Sequence, residues 1–258
     1  MSQLKLHAEK ISGGNALPLI VLHGWRQDRN SLRGVAEFLQ EGREVHLIDL
    51  PGFGESEAPP NAWGTPEYAA RLLAYLDEQK IDRADFLGHS YGGRISMYLA
   101  FTTPARVSRL VLIDASGVRA KPPLRRQLKI LAVKTTRNVL RFCKQKFGLK
   151  LYETWFIPRF ASADYKASGT MREVFVRIVN EEFSEEVKLI KAPTLILWGE
   201  LDTETPVAVA HKLHSLIPGS SLVVLPGKDH FPFLGSGASL CAYHVKNFFA
   251  ESTPGAQA

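Results

Sequence analysis

"FLGHSYGGR", Phe86–Arg94, sets one serine within a run of glycines directly after an apolar stretch. Gly88, Gly92 and Gly93 carry no β-carbon, so the backbone around Ser90 can turn sharply and pack closely. Ser90 is the centre of a G-x-S-x-G pattern, which is weak by itself because glycine and serine also mark ordinary turns. Its surroundings decide the reading. "ADFLG" (84–88) is a short apolar run of strand type, and "YGGRISMYLAF" (91–101) opens a helical one. Strand, tight turn, helix is the context in which such a serine becomes a nucleophile. The helix start then offers unpaired N–H groups and a positive dipole end to a developing oxyanion.

Similar apolar runs recur outward from this turn: "LPLIVL" (17–22), "VHLIDL" (45–50), "RLVLIDA" (109–115), "PTLILWG" (193–199) and "SLVVLPG" (221–227). They are nearly continuous rather than alternating, as strands buried on both faces are. "SLRGVAEFLQ", "TPEYAARLLAYLDEQ", "PVAVAHKLHSLI" and "SLCAYHVKNFFAE" lie among them with helical spacing. Strand and helix in alternation predict an α/β fold with a mostly parallel central sheet and helices on both faces. "LKLHAEKIS" reads as one leading strand, paired antiparallel. The alternation stops over 117–189, where Leu124, Leu128, Leu131, Val139, Phe142 and Phe147 recur at steps of three and four or small multiples. We expect an all-helical cap there, over the carboxyl ends of the strands where open parallel sheets bind ligands. The core would then comprise 1–116 and 190–250, with a disordered tail at 251–258.

The bounds agree with this organisation. The chain has 258 residues, 45% of them hydrophobic, enough for one large domain with an insertion. No apolar run approaches the roughly 18 residues that span a bilayer. The start, "MSQLKLHAEK", has neither an apolar h-region nor a cleavage site. Cys143 and Cys241 are far apart and lack metal-ligand spacing, which points to a reduced cytoplasmic setting. Ten of the 32 basic residues fall between Lys121 and Lys150, with no acid among them, leaving 22 basic against 26 acidic elsewhere. The net charge of +6 is therefore a property of one segment and does not point to nucleic acid.

A serine hydroxyl is a poor nucleophile at neutral pH, so it needs a base, and the base needs an orienting carboxylate. "GKDHFPF" supplies His230 just beyond the last strand, and "WGELDTETP" supplies Asp202 just beyond the strand before it. Asp202 has competitors: Glu200, Glu204 and Asp229 are close by, and Asp114 ends the strand after the nucleophile helix. His23 reads as a loop-structuring residue, His89 as pointing into the fold or the pocket base, and His211 and His214 as helix-surface residues. No cluster has metal-ligand spacing.

Ser, Asp, His in that chain order at the strand ends resembles the α/β-hydrolase fold, and the resemblance covers nearly the whole chain. "VLHGWRQD" (21–28) is similar to the family's His-Gly loop, and "DLPGFGES" (49–56) to its D-x-P-G-x-G-x-S loop. The resemblance implies Ser90 as nucleophile, His230 as base and Asp202 as its orienting acid. It also implies an oxyanion hole built from the N–H groups of Trp25 and Tyr91. One departure is Asp229, a charge where the family often has a small residue. The leading strands also look shorter than in larger members. The implied activity is hydrolysis of a small or medium carboxylic ester with no cofactor, by a monomer or homodimer. Carbon–carbon hydrolysis of ring-cleavage diketones uses the same triad, with Arg94 or Arg26 available for a substrate carboxylate. A non-catalytic receptor on the same fold is the alternative of another class. The basic stretch is either a solvated face or a lid whose apolar face covers an acyl pocket and whose basic face meets anionic substrates or acidic membrane surfaces.

Overall fold

The apolar runs form seven strands among the described residues: β1 (Ala8–Ile11), β2 (Ala16–Leu22), β3 (Arg43–Ile48), β4 (Ala84–His89), β5 (Val107–Ile113), β6 (Thr194–Gly199) and β7 (Ser221–Leu225). The computed structural model describes residues 4–11, 13–120, 124–147 and 150–251. Lys121 and the tail expected after Glu251 lie outside them, as do the side chains of Arg125, Arg126 and Lys129. The helices are α1 (Arg33–Leu39), α2 (Thr65–Glu78), α3 (Tyr91–Thr102), α4 (Leu124–Phe147), α5 (Ile157–Phe160), α6 (Ala163–Ala167), α7 (Arg172–Asn180), α8 (Val207–Leu216) and α9 (Gly237–Glu251).

The strands make one sheet in the order β1-β3-β2-β4-β5-β6-β7. Only β1 is antiparallel, Ala8 facing Ile48 across β3. Every residue of β4 and of β6 is buried, which is why both read as unbroken apolar runs. Residues of one parity, including Leu19, Leu87, Val111 and Leu197, share a core with Val35 of α1 and Val245 of α9. α2 and α3 pack against each other. The chain runs from β2 outward to β3 and then returns to place β4 on the other side of β2. The loops after β2 and β4 therefore leave the sheet at its topological switch point, where such folds form ligand crevices.

The strand pairs also carry a charged clamp. The fully buried Asp85 of β4 accepts from Arg43 of β3 at 2.5 Å and from Arg109 of β5 at 2.9 Å. Both guanidinium groups lie over the ring of Phe249 in α9, at 4.7 and 4.3 Å from its centroid. Each charge is thus paired where burial would otherwise be costly.

The chain divides into two compact units, one of residues 1–119 with 177–258 and one of residues 120–176. The second is narrower than the 117–189 stretch in which strands stop. Val187 is fully buried and Phe183 nearly so, the latter ringed by Tyr98 and Phe101. Burying two such side chains is worth about 1.5–3 kcal/mol each, and that ties 181–190 to the sheet unit. The second unit is all-helical: α4, a π-helical turn at Tyr152–Phe156, α5, α6 and the start of α7. Phe156 is its buried centre, stacked on Tyr152 and against Phe160. Leu128, Leu131, Val139, Phe142 and Phe147, whose spacing suggested a covering face, all stand exposed. No described helix is long and apolar enough to cross a membrane.

Candidate active site

Ser90 joins β4 to α3 with φ 48, the left-handed region that costs a non-glycine residue energy. Two hydrogen bonds hold it there: its N–H donates to the carbonyl of Ile113 at 3.0 Å, and its carbonyl accepts from Ser116 N at 3.0 Å. The flanking glycines serve close approach. A β-carbon on Gly92 would lie 2.2 Å from the carbonyl oxygen of Leu22, and one on Gly88 2.5 Å from the backbone of Gly92. The elbow is thus pressed onto the end of β2, and Gly92 N donates to His23 O at 3.1 Å. Tyr91, first residue of α3, carries one of the N–H groups that a helix start leaves without an intrahelical acceptor.

His230 follows β7 and is 5% exposed. Its Nδ1 donates to Asp202 Oδ2 at 2.7 Å. Asp202, just beyond β6, is braced on both oxygens: Oδ1 accepts from the N–H groups of Glu204 and Thr205 at 2.8 and 2.9 Å, and Oδ2 accepts from the Thr205 hydroxyl at 2.6 Å. Burial alone would raise its pKa. The bonds from His230 and Thr205 outweigh burial and hold it below the usual carboxylate value.

Of the competing acids, Asp114 at φ 45 is the nearest rival, fully buried at the end of β5. Its Oδ1 accepts from Gly199 N at 2.9 Å, and burial together with the neighbouring Asp202 pushes its pKa up to about 9. It is therefore a neutral acid at pH 7, whereas Asp202 is the ionised partner an imidazolium requires. Glu204 approaches the other ring nitrogen, its Oε2 3.5 Å from His230 Nε2. Asp229 caps its own turn, accepting from Phe231 N at 3.0 Å. Glu200 accepts from Gly227 N at 2.9 Å.

Two further histidines brace this edge. His23 donates from Nδ1 to Gly24 O at 2.7 Å and accepts at Nε2 from Leu50 N at 2.9 Å, tying the His-Gly loop to the loop after β3. Burial lowers its pKa, which suits the neutral ring those two bonds need. In that second loop Asp49 accepts from Arg29 N at 2.7 Å and Glu55 N at 3.0 Å. His89 lies with Nε2 2.8 Å from His230 O and Nδ1 3.0 Å from Gln27 Oε1. Burial depresses its pKa to about 3, so the ring is neutral and its one N–H donates to only one of these two oxygens. His211 and His214 are exposed on α8.

Arg94 is engaged within the fold. Its guanidinium donates to Ile178 O, lies 3.8 Å from Glu181 Oε2 and stacks over Phe183. Arg26 is exposed at φ 60 in the loop after β2. Trp25 packs edge-on to Phe53 and Tyr91, at ring separations of 4.8 and 5.8 Å. Thr205 is the residue sequence reasoning passed over. Its only sequence sign is its place three residues after an aspartate in a turn, where side-chain to backbone bonding is common. Asp114, Asp202 and His230 form a cluster with metal-ligand proximity. Within that cluster Asp202 Oδ2 and His230 Nδ1 are bonded directly to each other.

The alpha/beta hydrolase fold family model matches residues 18–236, and the chain belongs to that family. It is 29% identical over 238 residues to a pimeloyl-[acyl-carrier protein] methyl ester esterase of Aliivibrio fischeri, covering 86% of this chain and 89% of that one. It is 26% identical over 251 residues to a 2-hydroxy-6-oxononadienedioate/2-hydroxy-6-oxononatrienedioate hydrolase of Cupriavidus pinatubonensis, covering 89% and 86%. The enol-lactonase of Burkholderia xenovorans superposes with a TM-score of 0.71 at 24% identity, covering 96% and 98%. By the family match the protein is an α/β hydrolase, and its homologues include an esterase and a carbon–carbon hydrolase.

Proposed function

We propose that the protein hydrolyses small or medium carboxylic esters through a Ser90–His230–Asp202 triad and an acyl-enzyme. The observation that carries the reading is the buried 2.7 Å bond from His230 Nδ1 to an Asp202 braced on both oxygens. That bond assigns the proton to Nδ1 and leaves Nε2 as the basic nitrogen. Ser90 Oγ gives its proton to Nε2 and bonds to the ester carbonyl carbon. The carbonyl oxygen becomes an oxyanion received by the N–H groups of Trp25 and Tyr91. The C–O bond breaks as Nε2 returns the proton to the leaving alkoxide. Water, deprotonated by the same nitrogen, attacks the acyl-Ser90 ester and frees the acid. Asp202 stays ionised and stabilises the imidazolium at each step. No step calls for a cofactor.

The esterase of Aliivibrio fischeri supports ester cleavage, while the Cupriavidus relative supports the carbon–carbon alternative. The inward turn of Arg94 weighs against the latter, because that cation is already satisfied within the fold. The braced pair also favours an enzyme over a receptor, since a pure binder has no use for it. Both cysteines are free thiols, which agrees with a cytoplasmic setting. The test is labelling with a fluorophosphonate beside turnover of a panel of esters, lactones and diketones. One adduct on Ser90 with ester turnover is the expected result. An adduct on another serine, or diketone turnover alone, overturns the ester reading.

A further inference from the structure

α4 inverts the usual arrangement of a surface helix. At about 100° per residue, Leu128, Leu131, Thr135, Val139 and Phe142 fall within an arc of about 80°, a continuous stripe about 21 Å long. The stripe faces water: Leu128 is 60% exposed, Leu131 62%, Val139 54% and Phe142 59%. The half-buried Val133 and Leu140 lie on the opposite side, with half-buried Cys143 at the stripe's edge, and Val133 lines a cavity within the helical unit. The helix thus has a packed face and, across from it, an apolar face with no described cover.

Charge says what covers it. The 24 residues of α4 hold eight basic side chains and no acid. Lys134 and Arg141 run along one flank of the stripe, Lys134 also reaching the cavity, and Lys146 falls within the stripe's arc at its carboxyl end, all exposed. An apolar stripe flanked by cations on a helix of low overall hydrophobicity is the pattern of an element lying in a membrane interface. A second copy would set like charge against like charge. A folded acidic protein would have to present a groove to this convex ridge, whereas a bilayer deforms around it.

We infer that α4 is a peripheral docking element for anionic phospholipid bilayers. Its apolar stripe enters the headgroup region, and Lys134, Arg141 and Lys146 meet lipid phosphates while their methylene stems lie along the acyl boundary. The protein rests on the surface without crossing it. This goes beyond the proposed ester chemistry and does not depend on it.

The experiment is flotation of the full chain with vesicles of phosphatidylglycerol mixed into phosphatidylcholine, beside pure phosphatidylcholine, at low and high salt. Binding to the anionic vesicles at least tenfold tighter than to the neutral ones, weakened by salt, is expected. Lys134→Gln with Arg141→Gln and Lys146→Gln weakens it about a hundredfold, near fivefold for each cation. Leu131→Asp with Phe142→Asp weakens it by about as much, while circular dichroism melting of each variant confirms the fold. The comparison of lipids and salts on the unaltered chain stands whether or not a variant folds. No binding to anionic vesicles overturns the inference, as does equal binding by the Leu131→Asp, Phe142→Asp variant. Self-association or capture by an acidic acyl carrier protein, without vesicle binding, also overturns it.

Discussion

The β4–α3 elbow, written in glycines and apolar residues around one serine, and helix α4, written in apolar and basic repeats, stand at opposite extremes of packing. From Ala84 to Met97 every residue but Ser90 is buried, and single hydrogen atoms on Gly88 and Gly92 mark where backbones touch. On α4 no described side chain is buried, and its largest apolar groups face water. The elbow's residues are explained by contacts inside the chain. The apolar stripe of α4 has no described cover within its own helical unit. Substitutions should therefore act on chemistry and stability at the elbow, and on association at the helix.

The sharpest contrast comes from Ser90→Ala, which should lower kcat for an ester by about 10⁶ with an unchanged melting temperature. A residual rate within a hundredfold of the unaltered enzyme would place the nucleophile elsewhere. Next, Asp202→Asn should cost about 10³–10⁴ in kcat, the loss that follows a neutralised orienting acid. Asp114→Asn should stay within a few fold, because that acid is already neutral. Steady-state kinetics of the pair decides, and a reversal of the two would move the orienting role to β5.

Stability separates the regions further. Gly92→Ala forces a methyl onto the Leu22 carbonyl and should cost roughly 3 kcal/mol or more in urea unfolding. Leu128→Gln on α4 should change stability by less than about 0.5 kcal/mol. Comparable losses at both positions would mean that the stripe is covered within the chain.

A pH slope tests the protonation of Asp114 directly. Burial and the neighbouring Asp202 raise the Asp114 pKa to about 9, far above the ordinary carboxylate range, so the folded chain holds a proton that the unfolded chain has released. That contribution is complete below the unfolded value and is lost as pH rises through the folded one. Asp114→Asn should therefore gain melting temperature relative to the unaltered chain progressively between pH 5 and 9. A difference constant with pH would show that Asp114 is ionised in the fold.

The strands and the elbow were legible in the sequence because each buried run and each glycine answers to a packing demand that leaves few residue types. The order of Ser90, Asp202 and His230 was legible for the same reason, since strand ends fix where side chains emerge. Asp202 was favoured over Asp114 and Glu204 through the family resemblance, but the bond from His230 Nδ1 to its Oδ2 and the brace from Thr205 are contacts that spacing does not show. Arg94 could not be placed either: the pull of a carbonyl on α7 and of Glu181 is a long-range contact with no local sign. The stripe on α4 was visible as periodicity, but periodicity does not say which face meets solvent.

The two thiols differ in a way that makes the chain its own reporter. Cys241 is fully buried in α9, and burial drives its pKa up to about 12, which leaves negligible thiolate to react near neutral pH. Cys143 is half-buried on α4, one residue from Phe142. A maleimide dye added to the unaltered protein thus marks α4 alone, and its emission reads the polarity around that helix without any engineered cysteine.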